Sequence, residues 1–373
     1  MRRKKNKHPP INIAWLHIAK RSILQRIYRY VCLDFLKYNR LLEIPKLMQI
    51  MFYEAFKEEE LALKRYLPDE LTAGFTWKTV QEFDVSQPGA KIISVRTQSQ
   101  IPPAWADRVD AILTRSTGYD HILKFRKASQ KDISCGYLPL YCKRSVAEQA
   151  MMLWMCLLRK LFRQVGQFSD FNRDGLTGGE CSGKTLVVVG VGHIGYEIAM
   201  LGNALGMTVI GVDIEQKHAD ITYESIDSAI VKADIVACAM NLTDKNAGYF
   251  DHALFSRAKA GVLFVNVARG EMMRTGDLVQ LLDEGRLGGV GLDVFENESE
   301  IGVAFRQHKR DNSSPRVIAL RELATRDNVI LTPHNAFNTV ESVERKSEQS
   351  IQQIVQFIKK SEFIWQVPQV NPV

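Results

Sequence analysis

The stretch spanning residues 185–213, TLVVVGVGHIGYEIAMLGNALGMTVIGVD, constrains this chain more than any other. Residues 186–189 form an apolar, β-branched run suited to a parallel strand covered on both faces. Gly190, Gly192 and Gly195 follow in G-x-G-x-x-G spacing. Residues 196–205 then read as a helix, and residues 207–212 as a second strand closed by Asp213. A glycine triplet alone is weak evidence, because flexible loops produce it by chance. A triplet set between strand and helix, with an acid ending the next strand, predicts a dinucleotide site. The first glycine permits a tight turn, the second lets backbone approach a pyrophosphate, and the third lets helix and strand pack closely. The pyrophosphate would lie at the helix N-terminus, where unpaired N–H groups and the helix dipole favour an anion. Asp213 would accept hydrogen bonds from an adenosine ribose and repel a 2′-phosphate, which predicts NAD rather than NADP. An ordinary βαβ unit with packing glycines is the alternative.

The composition fits a globular protein of about two domains, at 373 residues, 46% hydrophobic and 24% charged. Six scattered cysteines (Cys32, Cys135, Cys142, Cys156, Cys181, Cys238) form no C-x-x-C pair and no metal-ligand spacing with histidine. No metal is expected, and such thiols suit a reducing compartment, so a cytoplasmic location is expected. The net charge of +7 is concentrated at one end. Residues 1–47 hold 12 Lys and Arg against 2 acids, whereas the rest holds 37 basic and 40 acidic groups. The body is therefore slightly acidic, and nucleic-acid binding is not expected of it. The apolar stretch of the basic extension is interrupted by His17 and Lys20, too short to span a bilayer. It reads as a basic amphipathic helix, a targeting peptide, or an appendage upstream of a start at Met48. The last is preferred, because residues 47–56, LMQIMFYEAF, look like the opening strand of a domain.

Strands and helices alternate beyond that point. Strands are expected at residues 48–53, 91–95, 111–114, 235–239, 262–266, 290–294 and 329–332. Helices are expected at residues 58–66, 145–165 and 339–360, and residues 168–183 form a Gly-rich boundary loop. Residues 297–315 are polar and read as a long irregular loop. The fold class is α/β, with two doubly wound, Rossmann-like or flavodoxin-like domains of parallel strands and a cleft between them. The expected division is an extension at residues 1–47, a substrate domain at residues 48–145 plus 340–373, and a nucleotide-binding domain at residues 146–339.

Ligands of such sheets bind at the carboxyl ends of the strands. Arg269 follows the strand at 262–266, Glu296 and Glu298 follow the one at 290–294, and His334 follows the one at 329–332. Singly, these read as a solvated turn residue, surface acids and a helix cap. Together, downstream of a dinucleotide motif, they predict a reaction site.

Taken with these residues, five further segments resemble the D-isomer-specific 2-hydroxyacid dehydrogenases: VVGVGHIG, VNVARGE (265–271), GVGLDVFENE (289–298), TPHNAF (332–337) and RSTGYDHI (115–122). LPLYCKRSVAEQAM (138–151) is similar to the family's domain-crossing segment, and the long segment after Glu298 with Phe337 resembles the D-lactate dehydrogenase branch. The resemblance runs from about residue 48 to the end. It implies a homodimer acting on a small 2-keto or 2-hydroxy acid. Arg269 would hold the substrate carboxylate, His334 would exchange the proton, and Glu298 would orient the imidazole and favour its charged form. The resemblance also places the backbone of Thr117 and Gly118 at the carboxylate and Tyr141 and Phe337 at the substrate pocket. Asp293 would approach the nicotinamide amide, and His193 and Ile194 would lie beside the pyrophosphate. Phe337 suggests a lining for a small side chain such as a methyl.

Some residues depart from the family pattern: Gln149 where histidine is frequent, Asn241 where proline is common, and Ala239 where histidine often precedes it. None removes a reacting group. Two other readings stay open, a same-fold dehydrogenase for phosphoglycerate, glyoxylate or phosphite, and an NAD-sensing binding protein.

Overall fold

Short strands buried along nearly their whole length, separated by helices, dictate parallel sheets covered on both faces. A computed structural model describes residues 48–83, 86–306 and 314–369, and there are two such sheets in it. The basic extension at residues 1–47 lies outside the described residues. The first sheet holds β1 (Ile50–Phe52), β2 (Ala73–Phe75), β3 (Ile92–Val95), β4 (Ala111–Thr114) and β5 (Ser134–Gly136) in the order β2-β1-β3-β4-β5. The second holds β6 (Thr185–Val189), β7 (Thr208–Val212), β8 (Thr222–Tyr223), β9 (Ile235–Cys238), β10 (Val262–Asn266), β11 (Leu287–Leu292) and β12 (Val329–Leu331). Its order is β12-β11-β10-β9-β6-β7-β8. Every strand pairing in both sheets is parallel. The first order is flavodoxin-like and the second is the doubly wound nucleotide-binding one. The strand order reverses between β1 and β3 in one and between β6 and β9 in the other, and ligands bind beside such reversals.

Six helices position the site: α1 (Lys57–Tyr66), α2 (Asp120–Ser129), α3 (Lys143–Leu158), α4 (His193–Ala204), α5 (Glu298–Arg306) and α6 (Val340–Lys360). The apolar α3 packs on α4 and on β10 and β11, joining the second sheet. The long α6 returns to pack on α1 beside the first sheet. Its buried residues Val343, Lys346, Ser347, Ser350, Ile351 and Ile354 recur at helical spacing, and Thr339 caps its N-terminus by accepting from Ser342 N–H.

The expected elements recur, with four corrections. The helix expected at 145–165 is two, α3 and Leu161–Gly166, because Lys160 adopts a left-handed backbone (φ +51°) that breaks the ladder. The irregular loop expected at 297–315 contains α5, and Pro315 opens another helix, Pro315–Leu323. The strand expected at 290–294 is β11, so Asp293 lies beyond its end. The helix expected at 196–205 begins three residues earlier, at His193. Strands β2, β5 and β8 are too short and too weakly patterned to read in advance.

A buried ionic cluster ties α1, β4 and α6 together. Glu59, Arg115 and Lys346 are all wholly buried. Arg115 Nε lies 2.8 Å and Lys346 Nζ 2.9 Å from Glu59 Oε1, and Arg115 also donates to Ser94 Oγ and to the Tyr53 carbonyl. Burial pushes the Glu59 carboxyl up, but Arg115, Lys346 and Arg96 outweigh it and hold it at about 2. Such a pair adds little over an apolar replacement, yet removing one partner strands the others. Glu59→Gln is expected to destabilise the protein by about 3–5 kcal/mol at neutral pH, read by urea unfolding. A carboxyl with a depressed folded pKa stabilises above its unfolded value and loses that contribution as pH falls through the folded one. The gap between wild type and variant should therefore close between about pH 4 and pH 2.

Candidate active site

Asp293 organises the loop that carries His334. Its wholly buried carboxylate accepts from the Thr332 hydroxyl at 2.6 Å and from the backbone N–H of Asn335 and Ala336, each at 2.8 Å. His334 N–H donates to the Asp293 carbonyl at 2.8 Å, and His334 itself has φ +51°, a conformation that costs free energy and persists because the loop is pinned on both sides. Burial raises the Asp293 carboxyl, outweighing His334 and the three donors.

Glu298 opens α5, where the helix dipole favours a carboxylate. Its two oxygens lie 2.8 and 2.9 Å from His334 Nδ1, and Gln98 Nε2 donates to Oε1 at 2.7 Å. Burial pushes this carboxyl up, but His334, Gln98 and Arg269 prevail and hold it below its ordinary value. An ionised carboxylate only accepts, so Nδ1 must carry a proton. Nε2 has no protein hydrogen-bond partner among the described residues.

Arg269 leaves β10 through a turn that Asn266 fixes, donating to the Arg269 carbonyl and accepting from Ala268 N–H. Its Nε bonds Asp120 at 2.9 Å and its Nη1 the Ala268 carbonyl at 2.7 Å. Nη2 is buried and has no partner among the described residues. Burial lowers this guanidinium's pKa, but Asp120 and Glu298 prevail and raise it. Gly118 lies against that nitrogen, and a Cβ there would fall 1.7 Å from it. A side chain at 118 would displace the guanidinium, so the glycine is a condition of the arrangement.

The other candidates surround this core. Thr117 donates from its hydroxyl to the Leu138 carbonyl at 3.2 Å and lies 3.4 Å from Cys142 Sγ. Tyr141 is buried, and burial pushes its phenol well above the usual range. Its carbonyl accepts from Arg345 and Ser342 of α6. Phe337 is buried, with ring centroids 6.3 Å from Tyr141 and 6.2 Å from Phe56. The Arg96 guanidinium lies 4.0 Å from its centroid. Sequence reasoning missed Asp120, Gln98, Arg96 and Phe56. Asp120 lies in the RSTGYDHI segment, and Arg96 and Gln98 follow β3, at the carboxyl edge of the first sheet, where such sheets also bind ligands.

The NAD-binding-domain model of the D-isomer specific 2-hydroxyacid dehydrogenases matches residues 151–336. D-lactate dehydrogenase kk1H of Curvularia clavata is 30% identical over 260 residues, covering 68% of this chain and 73% of that protein. The chain belongs to the D-isomer specific 2-hydroxyacid dehydrogenase family. This dehydrogenase is also 31% identical to an aromatic 2-oxoacid reductase of Clostridium sporogenes over 253 residues, 66% of this chain and 75% of the relative. The solved D-lactate dehydrogenase from Aquifex aeolicus, complexed with NAD and lactic acid, superposes with a TM-score of 0.74 at 29% identity. That match covers 87% of this chain and all of the other. The enzyme is an NAD-dependent oxidoreductase acting on a CH–OH group.

The residues after β6 fit that cofactor. Gly190 has φ +89° and packs against the Met240 backbone, as a tight turn requires. The N-terminus of α4 has no side-chain cap, which leaves its first N–H groups for an anion. A Cβ at Gly192 would meet nothing, so the space in front is open. His193 is exposed and Ile194 half-buried on the first turn. The Asp213 carboxylate is fixed at the end of β7 by Val191 N–H at 2.6 Å and Glu215 N–H at 3.0 Å, and remains partly exposed. NADH should be preferred over NADPH by about tenfold to hundredfold in kcat/KM, the worth of a charged hydrogen bond. Equal efficiency with both cofactors would contradict that role for Asp213. Among the described residues no helix is long and apolar enough to cross a membrane, and no group of His, Cys, Asp and Glu is arranged for a metal.

Proposed function

We propose that this enzyme interconverts a small 2-oxo acid and the corresponding D-2-hydroxy acid, with Arg269, His334 and Glu298 as its working groups. The observation that carries the reading is the buried Nη2 of Arg269, without a partner among the described residues, on a guanidinium whose charge reaches Glu298, the carboxylate that holds His334 Nδ1. A carboxylate is the ligand that satisfies a planar cation of this kind. Bound NADH supplies the hydride, and the protein supplies the rest. Arg269 anchors the substrate carboxylate, with Gly118 against the same nitrogen. His334 Nε2 gives its proton to the carbonyl oxygen in reduction and takes it back in oxidation. Glu298 keeps the ring in the one tautomer that allows this, and Gln98 braces Glu298 from the other sheet. Asp293 acts here as the scaffold of the His334 loop, alongside its expected approach to the nicotinamide.

NADH oxidation assayed against short 2-oxo acids with an unphosphorylated carbon side chain, with phosphohydroxypyruvate and glyoxylate as the rival substrates, tests the reading. Turnover of a 2-oxo acid to the D product supports it. Activity confined to the other substrates, or NAD binding without turnover, defeats it. A cytoplasmic homodimer is part of the proposal. The exposed apolar side chains of Leu161, Phe162, Val165, Phe168 and Phe171 support self-association beyond α3, which sedimentation would test.

A further inference from the structure

Arg96 directly follows β3, beside β1, where the strand order of the first sheet reverses. Its N–H donates to Glu54 at 2.9 Å, and the same buried carboxylate accepts from Gln98 and Ser99 N–H. Two residues on, Gln98 reaches Glu298. The loop carrying Arg96 therefore borders the reaction site. The guanidinium stacks on Phe337, three residues after His334. Among the described residues it has no ion pair and no hydrogen bond, and its buried Nε lacks an acceptor.

A second cation lies at the same ring. Lys346 Nζ is 4.3 Å from the Phe337 centroid, 5.0 Å from that of Phe56 and 5.9 Å from that of Tyr141. It is wholly buried, and its ion pair with Glu59 lacks hydrogen-bond geometry. Glu59 must also serve Arg115. Burial, with the guanidiniums of Arg96 and Arg115, pushes Lys346 down to about 7 against the pull of Glu59, and Glu59 pairs Arg115 while no carboxylate among the described residues pairs Arg96. Uncompensated positive charge in a partly dry pocket is costly unless a ligand neutralises it. A substrate methyl does nothing for it. An aromatic side chain would stack on the guanidinium yet leave Nε without an acceptor. A carboxylate supplies both charge and acceptors to the planar fork.

We propose that Arg96 is a specificity-determining residue that binds a second carboxylate on the substrate side chain, so that the preferred substrates are short dicarboxylic 2-oxo acids. This rests on the reading of the chain as a 2-oxo acid reductase. The test is steady-state reduction with NADH of 2-oxoglutarate against 2-oxohexanoate, and of oxaloacetate against 2-oxobutyrate, with pyruvate and phenylpyruvate alongside. The wild-type enzyme is expected to favour each diacid over its neutral partner by about tenfold or more in kcat/KM, with the ratio falling as salt rises. Arg96→Leu should lower that ratio by about 10², and Arg96→Lys should keep part of it. A wild-type preference for neutral or aromatic acids, or a ratio unmoved in Arg96→Leu, overturns the proposal. Should Arg96→Leu lose NADH binding and prove misfolded, the wild-type ratio and Arg96→Lys decide alone. Failure of the wild type to reduce any of these acids defeats the reductase reading, and this inference with it.

Discussion

Replacing His334 with alanine should lower kcat for 2-oxo acid reduction by about 10²–10⁴ while leaving NADH affinity nearly intact. The split follows from where the residue stands. His334 comes from the loop after β12, and its ring is held by Glu298, not by the glycine turn after β6 that would receive the pyrophosphate. In the proposed roles, loss of the ring removes the proton donor and leaves the Arg269 anchor in place. Fluorescence titration with NADH and single-turnover reduction separate the two effects. A kcat within a few-fold of wild type would remove His334 from the chemistry.

Arg269→Lys should cost about 10²–10³ in kcat/KM, with a higher KM for the oxo acid and a lower kcat. The wild-type guanidinium reaches Asp120 through Nε and the Ala268 carbonyl through Nη1, and keeps Nη2 free. A single ammonium cannot hold Asp120 and the substrate in one plane. NADH binding and thermal stability serve as controls, because Asp120 keeps a cation nearby. If KM and kcat were both unchanged, the free nitrogen would have to be explained by something other than the substrate.

Residues placed by local order are legible in the sequence. The glycines at 190, 192 and 195 and the acid at 213 sit in one continuous βαβ unit, where strand, turn and helix specify one another. Arg269 and His334 were reachable because strand ends are readable and parallel sheets gather their ends at one edge. Residues that work through a partner on the other sheet were not. Gln98 looks like one polar residue in a polar turn until Glu298 is found 2.7 Å away. Lys346 carries the helical spacing of a core position and the chemistry of a surface one, and only Glu59 reconciles the two. The break at Lys160 has no glycine or proline to announce it, and α5 is disguised by its three polar leading residues, Glu298, Ser299 and Glu300.

The contact of α6 with α1 also bears on the order in which this protein can be made. The second sheet, with α3, is drawn from one uninterrupted stretch between Lys143 and Leu331. The first sheet has all its strands before Gly136, yet the helix that covers α1, and the lysine that meets Glu59, come only after Val340. A ribosome delivers the chain from its N-terminus, and domains fold as their parts emerge. The first sheet emerges before the second, and it must wait for Lys346 to complete the ion pairs of Glu59. The nucleotide-binding half can close while that wait continues. A chain stalled before Val340 would present a complete second sheet beside a first sheet whose α1 still lacks its covering helix.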